Sequence, residues 1–193
     1  MSVRELQDYT FVAKYARWIP EKKRRETWNE AVSRVKQMML DKYADDPKVH
    51  EDIEWAYEMM RKKRVLGSQR ALQFGGKPIF KHNARIYNCI TSFCDRLRFF
   101  QECMYLLLCG CGTGFSVQKH HIEKLPQLVR TKNGTKKYVI PDTIEGWSDA
   151  VGILVASYFK QDELFPEYVG KNVNFDYSEI RPAGAFLNSS GGK

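Results

Sequence analysis

Apolar positions along this chain follow two kinds of spacing, and the change between them divides it. Through residue 68 the spacing is helical. Trp28, Ala31, Val32, Val35, Met38 and Met39 recur along one helix face. Ile19-Pro20-Glu21 supplies a start signal, with Pro20 near the first helical position and Glu21 in the first turn. Asp45-Asp46-Pro47 interrupts the pattern, and Ile53, Ala56, Tyr57 and Met60 mark a second helix. A Trp and Met stripe at this spacing reads as core rather than as a cofactor box.

From residue 69 the pattern alternates between strand and helix. Gly75-Gly76-Lys77-Pro78 reads as a loop and Arg85 to Phe93 as a strand. Asp95 is placed to cap a helix whose buried face is Leu97, Phe100, Met104, Leu107 and Leu108. The glycines at 110, 112 and 114 end it, and Phe115-Ser116-Val117 reads as the next strand. Gln127 to Ile140 has the form of a hairpin turning at Asn133-Gly134, a pair that tolerates positive φ. Asp142-Thr143-Ile144-Glu145 resembles a capping box ahead of a helix carrying Trp147, Val151, Leu154, Val155 and Tyr158. Val173-Asn174-Phe175 starts a last strand, and Ile180 to Gly184 a loop. There is no internal repeat or low-complexity tract. The expectation is an α/β protein: a helical region over 1–68, then strand–helix–strand units over 69–193.

Charge changes this picture little. The 193 residues carry a net charge of +8, which invites a nucleic-acid or phosphate-ligand reading. Most of the excess sits in three solvated clusters: Lys22 to Arg25, Arg61 to Arg64 and Lys132 to Lys137. Aromatics do not interleave with them as stacking platforms would, so no direct nucleic-acid partner is expected. The N-terminus has no apolar signal-peptide core, and the longest apolar run, Met104 to Cys109, is far too short for a bilayer, so no membrane partner is expected. Five cysteines without a secretory signal indicate a reducing, cytoplasmic setting.

In that setting the thiols are structural, metal-binding or catalytic. Cys109-Gly110-Cys111 has the wrong spacing for a zinc knuckle, and Cys103 falls inside a helix, so no metal site is expected. Cys94 and Cys103 read as small core residues. Cys89 follows a polar Asn88 on a strand, a place from which a side chain reaches a cleft. On these residues alone a structural role fits it better, and nothing in the neighbouring residues argues for a lowered thiol pKa. The Gly110-Cys111-Gly112-Thr113-Gly114 loop lets backbone approach a ligand closely. It runs from helix to strand, the reverse of a nucleotide-binding fingerprint, and a plain turn explains it as well.

Taken in order, several blocks resemble ribonucleotide reductase, most closely the adenosylcobalamin-dependent class II enzymes of the monomeric ribonucleoside-triphosphate reductase type. They are Tyr15-Ala16-Arg17-Trp18 with Arg24-Arg25-Glu26-Thr27-Trp28, then Arg70 to Gly76, then Asn88-Cys89, then Gly110 to Val117. Glu145-Gly146-Trp147 with Ser157-Tyr158-Phe159 follows, and Phe175 to Gly184 runs towards Gly191-Gly192. The set spans nearly the whole chain.

The resemblance implies that 69–193 is the N-terminal portion of the family's ten-stranded α/β barrel, preceded by the helical region. It implies thiyl-radical chemistry that reduces ribonucleotides to deoxyribonucleotides, with Cys89 one of two cysteines that supply electrons and end as a disulfide. A thioredoxin-type reductant would reopen that disulfide. Asn88 and the backbone of Gly112, Thr113 and Gly114 would line the substrate cleft. Asp95 would lie where relatives hold the ribose of a deoxynucleotide effector. Lys119, His120, His121 and Lys124 would meet its phosphates, although a solvated basic loop explains them equally.

Two departures qualify the likeness. Cys111 stands where relatives usually have a glycine, which places an extra thiol near the active site. The family's radical-bearing cysteine, second reducing cysteine and phosphate-binding segment have no counterpart in these residues. The resemblance therefore implies a C-terminal reductase fragment as partner, which would hold most of the adenosylcobalamin site. A split gene or an interruption at an intein site would each produce such a chain, and a compact split form fits a viral source. A regulatory nucleotide-binding module and a part of a class I reductase are the alternatives.

Overall fold

The computed structural model of the chain describes residues 2–131 and 134–185. These form two compact units, one reaching through Ile86 and one spanning Tyr87–Ala185. Among the described residues no helix is long and apolar enough to cross a membrane.

The first unit is helical. Helix α1 (Val3–Lys14) opens on a capping box in which the Ser2 hydroxyl accepts from the Glu5 N–H and the Glu5 carboxylate accepts from the Ser2 N–H. Strands β1 (Trp18–Ile19) and β2 (Arg24–Arg25) pair antiparallel around a 3₁₀ turn at Pro20–Lys22. The expected helix start at Pro20 is thus corrected. Pro20 opens only that turn, Lys23 takes φ +49°, and the chain doubles back. Helix α2 (Trp28–Lys42) begins behind Thr27, whose hydroxyl accepts from the Glu30 N–H while the Glu30 carboxylate accepts from the Thr27 N–H.

Helix α3 (His50–Arg61) follows, burying Ile53 and Met60 while Ala56 stays exposed. Helices α4 (Gln69–Phe74) and α5 (Lys77–Lys81) complete the unit. The Gly75 to Pro78 stretch, expected to be a loop, contains the start of α5, because proline is tolerated in a first helical turn. Ala71, Leu72 and Ile79 enter the same core as Phe11, Ala31, Val32, Val35, Met38 and Met60. The units accordingly meet at 86/87, beyond the 68/69 division read from the sequence.

A part-buried ion pair helps tie α4 to α2. Glu26 accepts from Arg34 at 2.7 and 2.8 Å, and Arg34 also donates to the carbonyls of Leu72 and Gly75. Arg17 donates twice to the carbonyl of Gln73. Burial, together with the Arg34 charge, holds the Arg17 guanidinium down at about 10.

The second unit is built from two strand–helix–strand crossovers. Strand β3 (Cys89–Phe93) leads through helix α6 (Arg98–Leu108) to β4 (Gly112–Ser116), and the strands pair in parallel with Cys89 opposite Gly112. A short helix α7 (Lys119–Ile122) follows. Strand β5 (Thr135–Val139) leads through helix α8 (Ile144–Ala156) to β6 (Asn172–Asp176), again parallel. Parallel neighbours require such helical crossovers.

Several local expectations are corrected here. The strand begins at Cys89 rather than Arg85, since Asn83–Ile86 is a 3₁₀ turn. Asp95 does not cap α6, which starts at Arg98 behind Leu97, because the Asp95 carboxylate is taken by Arg96. In α6 Phe99 is buried and Leu107 is exposed. Among the described residues the expected hairpin is not formed: β5 pairs with β6, and the segment before it bridges Leu128 to Phe159. Gly134 has φ +88°, while Asn133 and Gly191-Gly192 lie outside the described residues.

Thr143 does cap α8, accepting from the Gly146 N–H. Gly146 is required there, because a Cβ on it would lie 2.4 Å from the carbonyl oxygen of Pro141. The helix buries its small face, Gly146, Ser148, Ala150, Gly152, Ile153 and Ala156, and leaves Leu154 exposed.

Candidate active site

The β3–β4 pair positions the groups that the sequence singled out. In a parallel ladder paired residues point to the same side, and successive residues alternate. One face therefore carries Cys89 and Thr91 opposite Gly112 and Gly114. A Cβ on Gly112 would sit 3.9 Å from Cys89 Sγ, and one on Gly114 would sit 3.8 Å from Thr91 Cγ2. The glycines thus make a low floor beside an exposed thiol. The Gly112 N–H donates to the Asn88 carbonyl at 2.7 Å, which sets the start of the pair.

Thr113 belongs to the other face. Its Oγ1 is buried and has no hydrogen-bond partner among the described residues. Only its backbone borders the Cys89 side. That rear face, with Ile90, Ser92 and residues of α6 and α8, lines a cavity of about 490 Å³. Asp149 stands there, bonded to Gln101, and burial raises its carboxyl above the ordinary range.

The candidate effector residues lie past the C-terminal ends of β3 and β4. Asp95 accepts from Arg96 at 2.8 Å and pairs with Lys124 at 3.6 Å. The Arg96 hydrogen bond is the main reason that its carboxyl is held below the usual value. His121 stacks on Phe93 at 4.6 Å and on His120 at 3.9 Å. Burial lowers the His121 imidazole, with the charges of His120 and Lys124 acting in the same direction. Lys119 instead pairs with Glu123 along α7. The fold therefore groups Asp95, Lys124 and His120 through His121. Arg96 and Phe93 are additions that the sequence reading missed, and their only signal was adjacency to Asp95 and the strand.

Cys94 and Cys111 are both buried, and burial pushes the Cys94 thiol up. Among the described residues no group of His, Cys, Asp and Glu is arranged to hold a metal ion.

No family model matches the chain. In fold it is matched by the crystal structure of a B12-dependent (class II) ribonucleotide reductase. The TM-score is 0.79 at 24% identity, over 95% of this chain and 34% of that one. The α/β class and the incomplete barrel, with its two small parallel sheets, agree with that structure.

Among curated proteins the chain is similar to the adenosylcobalamin-dependent ribonucleoside-triphosphate reductase of Lactobacillus helveticus (strain DPC 4571). They are 27% identical over 97% of this chain and 34% of the relative. The enzyme of the same description from Lactobacillus leichmannii is 26% identical over 95% of this chain and 32% of its own length. The likeness carried by the ordered blocks is borne out, and the chain spans about a third of the length of the curated relatives it matches.

Proposed function

We propose that this chain is the N-terminal part of a ribonucleotide reductase that acts with a C-terminal partner chain on ribonucleoside triphosphates. The observation that carries the reading is the exposed Cys89 thiol beside the Gly112 and Gly114 floor, in a chain similar throughout to part of such reductases. Cys89 is the reducing cysteine of this half. With a second thiol from the partner it delivers two electrons and two protons to the ribose, the 2′-hydroxyl leaves as water, and a disulfide remains. A thioredoxin-type dithiol then reduces that disulfide by exchange. Asn88 and the backbone from Gly112 to Gly114 border the substrate.

Adenosylcobalamin supplies the radical chemistry in this reading. In this reading the C-terminal partner holds most of the cofactor site. The Asp95, Lys124 and His120 group takes a deoxynucleotide effector, with Lys119 at its rim. Support for this lies in the cationic and aromatic side chains gathered around one carboxylate.

The test is coexpression with a C-terminal reductase fragment, copurification, and assay of ribonucleoside-triphosphate reduction with adenosylcobalamin and a dithiol. Turnover is expected in the mixture and not in either part alone. Cys89→Ser should abolish turnover with thioredoxin. Near-normal turnover in that variant removes Cys89 from the mechanism. Deoxynucleotide binding by the chain without any catalytic complex would favour a regulatory module instead.

A further inference from the structure

We propose that Cys111 is a positioning residue for Cys89 and not its redox partner. The inference rests on the reading of Cys89 as a reducing cysteine. Two thiols close together in sequence order around one strand pair invite the opposite conclusion, that they form the disulfide themselves. Strand alternation rules it out. Gly112 is the register partner of Cys89 and shares its face, so Cys111, one residue earlier, points to the rear. Cys89 is exposed, whereas Cys111 is only 4% exposed. A disulfide needs the two Cβ atoms to face one another at about 3.8 Å, which side chains on opposite faces do not achieve without rebuilding the strand pair.

What Cys111 does is hold backbone. Its S–H donates to the Tyr87 carbonyl at 3.4 Å, and its own N–H donates to the Leu106 carbonyl at the end of α6. The next N–H, of Gly112, donates to the Asn88 carbonyl. Consecutive residues therefore grip the two peptide units that directly precede Cys89. The thiol adds a side-chain hydrogen bond to this clamp. A glycine at 111 would leave the Tyr87 carbonyl without that donor.

The test has a chemical arm on the chain itself and a kinetic arm on the reconstituted complex. In native wild-type chain, iodoacetamide should label Cys89 and spare Cys111, and diamide oxidation followed by peptide mapping should give no Cys89–Cys111 disulfide. Cys111→Ala should change the Cys89 labelling rate and lower kcat on the order of tenfold with KM unchanged. Cys111→Ser, which keeps a donor, should recover most of kcat. Cys111→Val, which keeps volume without the donor, serves if the alanine variant melts early, and should behave like it.

A Cys89–Cys111 disulfide formed in folded chain overturns the proposal. So does Cys111→Ala with unchanged labelling rate and kcat. Failure of the underlying reading looks different: Cys89→Ser would keep turnover while the labelling pattern stayed as described.

Discussion

The two units of the molecule arrange their buried apolar residues differently. The helical unit gathers Phe11, Val32, Val35, Met38, Met60, Leu72 and Ile79 into one contiguous core, with Leu72 and Val32 essentially inaccessible. Among the described residues the strand-containing unit has two-stranded parallel sheets only, and both units leave large apolar side chains exposed, Trp55 and Leu66 in the first and Phe93 and Phe115 in the second. Parallel sheets are ordinarily covered on both faces, and open strand edges invite pairing. The difference teaches that the first unit is organised around one contiguous core, whereas the second leaves its parallel strand pairs with open edges among the described residues. The groups proposed for chemistry all belong to the second.

The largest expected effect tests the self-sufficiency of the first unit. Glu26→Ala leaves the part-buried Arg34 without its anion and should cost about 3 kcal/mol. A urea titration monitored by Trp28 fluorescence would read it, and an unchanged midpoint would mean that the core alone holds α4 on α2.

A smaller effect should stay within the second unit. Gly146→Ala forces a Cβ against the Pro141 carbonyl and should cost about 2 kcal/mol. Hydrogen exchange would localise the loss to α8, and a uniform loss through both units would erase the distinction drawn between them.

Acid should separate the units next. His121 has a lowered pKa in the fold, so below its unfolded value of about 6.5 the unfolded chain takes up protons first and stability falls. Asp95 is also lowered, so its contribution is present above the unfolded value and lost as pH falls through the folded one. Melting of the second unit should therefore begin to decline below about pH 6.5, and His121→Gln should remove that early phase.

The smallest effect is a gain. Asp149 has a raised pKa from burial, so its contribution is present below the unfolded value and lost as pH rises through the folded one. Asp149→Asn should stabilise the second unit by less than about 1 kcal/mol at neutral pH and not at pH 3. An equal gain at both would show that charge is not the cause.

The helices were legible because their apolar spacing is local: the stripe from Trp28 to Met39 packs much as its period predicts. Asp95 and the 127–140 hairpin were misread for the converse reason. Asp95 has the right type for a cap, but Arg96 and Lys124 compete for its carboxylate. Asn133-Gly134 is a hairpin signal, but β5 finds its partner across α8. On α8 the sequence marks the apolar residues but not the face that packs, where Gly146, Ala150, Gly152 and Ala156 are buried with Ile153. Neither competition is visible to a local window.

By itself the sequence determined the α/β order, the helical start of the chain and the ordered blocks shared with reductases, since these depend on residue type and spacing alone. Only the tertiary structure decided which thiol faces the glycine floor and which is turned away behind the strand. Cys89 and Cys111 have the same chemistry, and the register of one parallel strand pair, fixed by contacts distant in sequence, places them on opposite faces.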